Sequence, residues 1–350
     1  MNKFSIKTLI LLVAVSFFYS CSNDDSPTIL GDYDNGVVIV NEGNFLEGDA
    51  SLSFFSYTGT QADLNIFDAV NNLALGDIAQ SAYVFDTLLF VVVNNSNKVE
   101  VMNRYSLESL YTVDAALPRY MTVANGKGYL TEWVSFTEAG RLSVFDLTTG
   151  EIDASVTVGF GAEFVVVDGN QAYVSNTFEN TISVVNLSNN NVTETLTLPS
   201  PAPAHMIVDQ NGDLWVSCKG GFDENFAPAN DGAILKINLT DKVVDATIEF
   251  NANISGKMAC NAAKDQVYFY AGSSVFNRDV NSMESSVEPL IVNESFTSIY
   301  GIGVDPATGD IYVADSKNFV EDGEVFQYSS TGTLVTSFDV GRGPNGFVFN

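Results

Sequence analysis

The chain has 350 residues, with 15 Lys and Arg against 43 Asp and Glu and a formal net charge of −28. A surface this acidic repels nucleic acid and anionic headgroups, whose binding depends on clustered Lys and Arg. The single histidine excludes multi-His zinc sites and the two-His facial triad of iron oxygenases.

The first segment reads as a signal peptide over residues 1–20. Lys3 and Lys7 supply its positive end, Leu9 to Phe18 its apolar run, and Ser20 precedes Cys21. That run is too short to span a bilayer comfortably. A cysteine after a small residue is the pattern of a bacterial lipoprotein cleavage site, although Phe18 and Tyr19 depart from it. The expectation is a mature chain lipidated at Cys21 and anchored to the membrane through its lipid alone. The other reading is an ordinary secretory peptide cut near a cysteine. Loss of Lys3 and Lys7 takes the charge from −28 to −30. Residues 21–35, opening on Ser22-Asn23-Asp24-Asp25-Ser26-Pro27, have little to bury and read as a flexible acidic tether. Residues 36–350 are then one domain.

From there one short phrase returns seven times, a few apolar residues followed by polar ones. It is Val38-Ile39-Val40-Asn41, then Val91-Val92-Val93-Asn94, Tyr129-Leu130-Thr131, Tyr173-Val174-Ser175, Trp215-Val216-Ser217, Tyr268-Phe269-Tyr270 and Tyr312-Val313-Ala314. Markers at 40, 93, 130, 174, 216, 269 and 313 give a period of roughly 40 to 50 residues. Repeats of that length built only of strands predict an all-β fold, a seven-bladed β-propeller. The fourth unit parses as strands over 163–168, 171–175, 181–187 and 192–198, with Gly169-Asn170 as a tight hairpin turn. Third strands such as Ala233 to Asn238 alternate as a sheet packed against neighbours must. The sixth unit, Gly256 to Val292, is the weakest. The last segment, Gly343 to Phe349, looks like a first strand with no second, and the first repeat opens at its second strand. The C-terminal strand is therefore expected to complete the first blade and close the ring. Cys218 and Cys260 fall at different heights of their blades and are expected to be inert thiols rather than a disulfide.

Function is sought where the repeat loses its identity. The inner strands open on Gln80-Ser81, Arg119-Tyr120, Ala162-Glu163, Ala204-His205, Gly256-Lys257, Tyr300-Gly301 and Asn345-Gly346. These positions crown one face, as do the ends of the second strands, with Glu42, Asn44, Asn95, Glu132, Trp133, Asn176, Lys219 and Asp315. Two loops there exceed hairpin length, Trp133 to Gly140 and Lys219 to Asp231, which favours a functional or mobile role. Trp133, Phe222 and Phe226 could form a platform for a ring ligand or a sugar, or fold back on their own loops. The candidate ligand-binding set is thus Glu42, Asn44, Arg119, Tyr120, Trp133, Glu163, Asn176, His205, Lys219, Phe222, Phe226, Lys257, Tyr300, Asp315 and Asn345. No catalytic residue, metal site or cofactor is expected. Ala204 and Met206 offer His205 no nucleophile, no carboxylate pair stands at a distinctive motif, and no Gly-rich phosphate loop occurs. Hairpin chemistry explains the Asp-Xaa-Asn turns without calcium.

The Tyr-Val strand phrase and the turn Asp146-Leu147-Thr148-Thr149-Gly150 resemble the YVTN-type, YncE-like surface propellers across nearly the whole domain. More narrowly, Asn41-Glu42-Gly43-Asn44-Phe45 followed by Ala50-Ser51-Leu52-Ser53-Phe54-Phe55 resembles the opening blade of the BtuG-type lipoproteins of Bacteroidetes. Ser22 to Pro27 is similar to the export signal of their surface lipoproteins. The resemblance implies an outer-membrane, cell-surface lipoprotein that captures a corrinoid (cobalamin, vitamin B12) and passes it to a TonB-dependent transporter. His205 could then coordinate cobalt, though a lone histidine is more often a hydrogen-bonding residue. A glycan-binding or protein-scaffolding propeller is the alternative, and a lyase or glycosidase a third.

Overall fold

The computed structural model describes residues 30–222 and 227–350, so the signal peptide, Cys21 and Phe226 lie outside the described residues. Seven antiparallel sheets form the blades of a β-propeller. Blade 4 shows the plan. Its strands Ala162–Asp168, Gln171–Asn176, Thr181–Asn186 and Asn191–Thr197 follow one another from the central channel outward. Two-residue turns make this possible, as at Asn125-Gly126, where both residues take the left-handed conformation (φ 50° and 73°) a tight hairpin demands. The innermost strands of successive blades adjoin in an unbroken circuit around the channel.

Blade 1 is composite. Its inner strand is Pro344–Phe349, paired with Gly36–Asn41 through Val37 opposite Phe349 and Ile39 opposite Phe347. Ser51–Ser56 follows, and in place of a full outer strand a single bridge joins Phe54 to Asp63. The C-terminal strand thus closes the ring, as the sequence leads one to expect. The weak sixth unit is a complete blade with short first and last strands, Met258–Cys260 and Pro289–Val292.

Seven apolar clusters lie between the blades, one at each interface. They explain the repeated phrase. Tyr173 packs towards blade 5 with Met206 and Val216, while Val174 packs towards blade 3 with Tyr129 and Leu142. The aromatic member meets the next blade and the aliphatic member the previous one, so both faces of every second strand must be apolar. Trp215 and Val216, and Tyr312 and Val313, divide in the same way. This corrects the phase of the first two units. Ile39, not Val40, faces the previous blade; in the second unit Val91 and Val93 both face it, and the strand register makes Val91 the equivalent of Val174. The same alignment pairs Asn41, which donates to Ser53 Oγ at 2.9 Å, with Asn176, which donates to Ser183 Oγ at 3.0 Å.

Both chain ends of the propeller meet at the end of the channel opposite the inner-strand openings. Tyr33 packs edge-on against Phe54 (5.2 Å between centroids), and its N–H donates to the Tyr105 carbonyl. Arg104 clasps the last residues, donating from Nε to Asn350 Oδ1 and from Nη2 to the Phe349 carbonyl, both at 2.9 Å. Asn350 Nδ2 reaches back to the carbonyls of Tyr33 and Arg104. Cys218 and Cys260 are free thiols, and burial pushes the Cys218 thiol up to about 12.

Candidate functional site

The inner strands of blades 3, 4 and 5 each carry a bulge just after their first residue, between Pro118 and Met121, Ala162 and Val165, and Pro203 and Met206, which re-aims the side chains there towards the channel mouth. Gln80, Arg119, Glu163, Ala204, Lys257 and Tyr300, with Tyr120, His205 and Lys219, enclose a chamber of about 230 Å³ at the channel mouth. Arg119 on blade 3 grips Glu163 on blade 4 with two hydrogen bonds, Nε to Oε2 at 2.9 Å and Nη2 to Oε1 at 2.8 Å. The indole N–H of Trp133 donates to the same carboxylate at 3.0 Å, and the Arg119 guanidinium lies over the Trp133 ring at 3.9 Å. On the far wall Glu42 Oε2 accepts from the Tyr300 hydroxyl (2.9 Å) and from Asn345 Nδ2 (2.8 Å). Lys257 Nζ donates to the Asn345 carbonyl at 2.8 Å and sits 4.9 Å from the Tyr300 ring centroid.

Burial and charge act on these groups together. Burial alone would raise the Glu163 carboxyl, but Arg119 and Lys219 outweigh it and hold it below its ordinary value. Burial lowers both chamber lysines, Lys257 to about 8, opposed by Glu42 and then Glu163 at Lys257 and by Glu163 at Lys219, with Arg119 adding to the fall. Burial and then Lys257 push His205 down to about 3, so its imidazole is neutral at pH 7. Its ring is held against Phe164 at 4.1 Å and meets Tyr120 edge-on at 5.1 Å. Nδ1 lies 3.2 Å from the Met258 carbonyl, and Nε2 is buried without a partner. Gln80, Tyr120, His205 and Lys257 also border a second space of about 350 Å³ further down the channel. Its walls are mostly apolar, including Tyr83, Met121, Val166, Ile207 and Phe347.

The remaining candidates are placed differently. Asn176 is buried inside blade 4 on Thr181 and Ser183. Asp315 accepts from the backbone N–H groups of Thr297, Ser298 and Lys317, which fixes two loops rather than facing the chamber. Asn44 sits in the turn between Glu42 and Ala50, its N–H on Asp49. Phe222 lies in a two-residue strand beside Pro228 in the long loop of blade 5.

Sequence reading missed the apolar crown around the mouth. Phe136 and Phe178, 71% and 49% exposed, pack on Trp133 with centroids at 5.7 and 4.8 Å. Phe45, Leu46, Phe319 and Val320 stand exposed on the equivalent loops of blades 1 and 7, and Phe319 meets Tyr300 edge-on at 4.9 Å. The available signal was a phenylalanine shortly after the second strand in several units. Among the described residues no cluster of three or more His, Cys, Asp and Glu is arranged to hold a metal. The hairpin aspartates are occupied by their own turns, Asp209 by the N–H groups of Asn211 and Asp213 and by the Trp215 indole.

The sequence of this propeller, from residue 35 to residue 349, matches the family model described as a domain of unknown function, DUF5074. The chain belongs to the DUF5074 family. No curated protein matches this DUF5074 chain in sequence. Among solved structures it is similar to a quinonprotein alcohol dehydrogenase-like protein from Bacteroides thetaiotaomicron, with TM-score 0.68 and 14% identity over 91% of this chain and 78% of the other. It is also similar to the hydrazine synthase of Kuenenia stuttgartiensis, with TM-score 0.59 and 13% identity over 74% and 85% of the two chains. At these identities the likeness is one of fold, and the DUF5074 propeller takes no activity from either.

Proposed function

We propose that this DUF5074 protein is a surface-anchored capture protein that binds a corrinoid at the channel mouth, without catalysis, and passes it to a TonB-dependent transporter of the outer membrane. The observation that carries the binding site is the coincidence, at one end of the channel, of a buried polar chamber and an exposed aromatic crown. Convergent polar groups inside apolar walls are the ordinary make-up of a ligand site. A chamber of about 230 Å³ is below the size of a drug-like pocket, so the macrocycle would lie across the crown, with only a substituent entering the chamber. The Asn41-to-Phe45 resemblance supports the corrinoid, and the lipoprotein pattern at Cys21 supports the anchor. In this reading His205, closed in between Phe164 and Tyr120, serves packing and takes no part in coordinating cobalt.

Calorimetric titration of residues 30–350 with cyanocobalamin tests the reading, with a polysaccharide panel run in parallel. Saturable heat with the corrinoid, weakened by Trp133→Ala and Tyr300→Ala, is expected. Absence of heat with any corrinoid at micromolar protein overturns it. Heat with a polysaccharide alone would instead make the Trp133, Phe136 and Phe178 surface a sugar platform.

A further inference from the structure

We infer that the mouth chamber receives the anionic group of its ligand, a carboxylate or a phosphate, and that Lys219 and Lys257 hold it. The inference rests on the mouth being the binding site, but not on the ligand being a corrinoid. Lys and Arg number only 15 in 350 residues, yet Arg119, Lys219 and Lys257 converge on this one small space. The nearby carboxylates are already engaged. Glu163 takes both Arg119 hydrogen bonds and the Trp133 indole, and Glu42 takes Tyr300 and Asn345.

Arg119 is therefore directly paired, while neither lysine has an ion pair with a described residue. Lys257 donates to a neutral carbonyl, that of Asn345, and is in no salt bridge with a described residue. The Lys219 ammonium has neither a hydrogen bond nor an ion pair with any described side chain, though it lines the chamber. Glu163 and Glu42 act on these lysines only through space, and an ammonium withdrawn from water with no direct ionic partner is held unfavourably. Proteins keep such groups where an incoming ligand supplies the missing charge. The His205 Nε2, buried and unpartnered on the same wall, leaves a further polar position unfilled. The chain as a whole, at −28, does not favour anions, so the lysines give the chamber a selectivity opposite to that of the whole molecule.

The test is titration of the intact protein at constant ionic strength with inorganic phosphate, benzoate and, as a cationic control, choline. Trp133, whose indole is bonded to Glu163, reports by fluorescence. A saturable change with phosphate or benzoate and none with choline is expected, and whichever anion binds more tightly identifies the group. Lys219→Met and Lys257→Met should each weaken that binding by about tenfold or more. Lys264→Met, which borders only the lower space, should leave it unchanged. The Lys219 ammonium has no hydrogen bond or ion pair with a described residue and acts on Glu163 only through space, so Lys219→Met should lower the melting temperature less than Arg119→Ala does, and an equal or larger fall counts against the inference. No saturable response to either anion overturns it, as does undiminished binding in Lys219→Met. Cyanocobalamin in the same assay separates the two readings. Corrinoid binding insensitive to Lys219→Met removes the anion subsite and keeps the corrinoid. Anion binding without corrinoid binding does the reverse.

Discussion

Arg119 and Glu163 join blades 3 and 4 through a two-point ion pair whose side chains are only 11% and 6% exposed. Arg119→Ala would leave Glu163 charged and buried, with a loss of about 3–5 kcal/mol expected for a broken buried pair. Urea unfolding measures it. The double variant Arg119→Ala with Glu163→Ala should recover most of the loss, and failure to recover would mean that the pair is not what joins these strands.

His205 makes the protein acid-labile in a defined window. Its folded pKa of about 3 lies below the ordinary histidine value of 6.5, so the unfolded chain binds the proton first as pH falls. Stability from this residue is complete above 6.5 and declines towards 3, with a slope of at most about 1.4 kcal/mol per pH unit. His205→Gln should flatten the difference curve of stability against pH over that range, although Lys257, Glu163 and Tyr120 remain around the site. Parallel curves for the two proteins would remove His205 as the cause.

Gly128 stands just before the third repeated phrase, where Phe145 leaves no space for a side chain. A Cβ at that position would overlap the Phe145 ring. Gly128→Ala is expected to destabilise the protein by about 1–3 kcal/mol through overpacking, and Phe145→Leu in the same background should relieve part of it. Thermal melts of the three variants check the order.

Arg104 ties the C-terminal strand down from blade 2. Arg104→Ala removes its bonds to Phe349 and Asn350, with a loss of about 1–3 kcal/mol expected for charged hydrogen bonds. Amide hydrogen exchange should accelerate across Pro344–Phe349 more than in the inner strand of blade 4. Uniform acceleration would show a global effect instead.

The blade count is legible in the sequence because each second strand is packed on both faces, which forces an aromatic or aliphatic residue at two adjacent positions such as Tyr173 and Val174. Phase is lost where that demand is met too uniformly. Val37 to Val40 and Leu88 to Val93 are unbroken apolar runs, and without a polar residue nothing in them marks which face is which. The channel-facing openings at Arg119, Glu163, Lys257 and Tyr300 follow from topology, so the strand pattern alone locates them. Loop geometry does not follow from periodicity. Asn176 and Asp315 end their strands in sequence at the mouth, yet they turn to satisfy serine hydroxyls and loop N–H groups. Phe136 and Phe178 recur after their second strands in sequence, but only the fold shows that they come to rest on Trp133.

The composite first blade also sets the order in which the molecule can be finished. Gly36–Asn41 and its inner partner Pro344–Phe349 are separated by almost the entire domain, the costliest kind of contact to form early. Until the last residues are available, Val38 and Val40 on one side and Val37 and Ile39 on the other belong to interfaces that lack their inner strand. A chain interrupted anywhere before Pro344 therefore ends as an open arc with an unpaired strand edge, prone to pair with another copy of itself. Completion is all-or-none in time as well as in space: six blades can be made blade by blade, but the first is also the last.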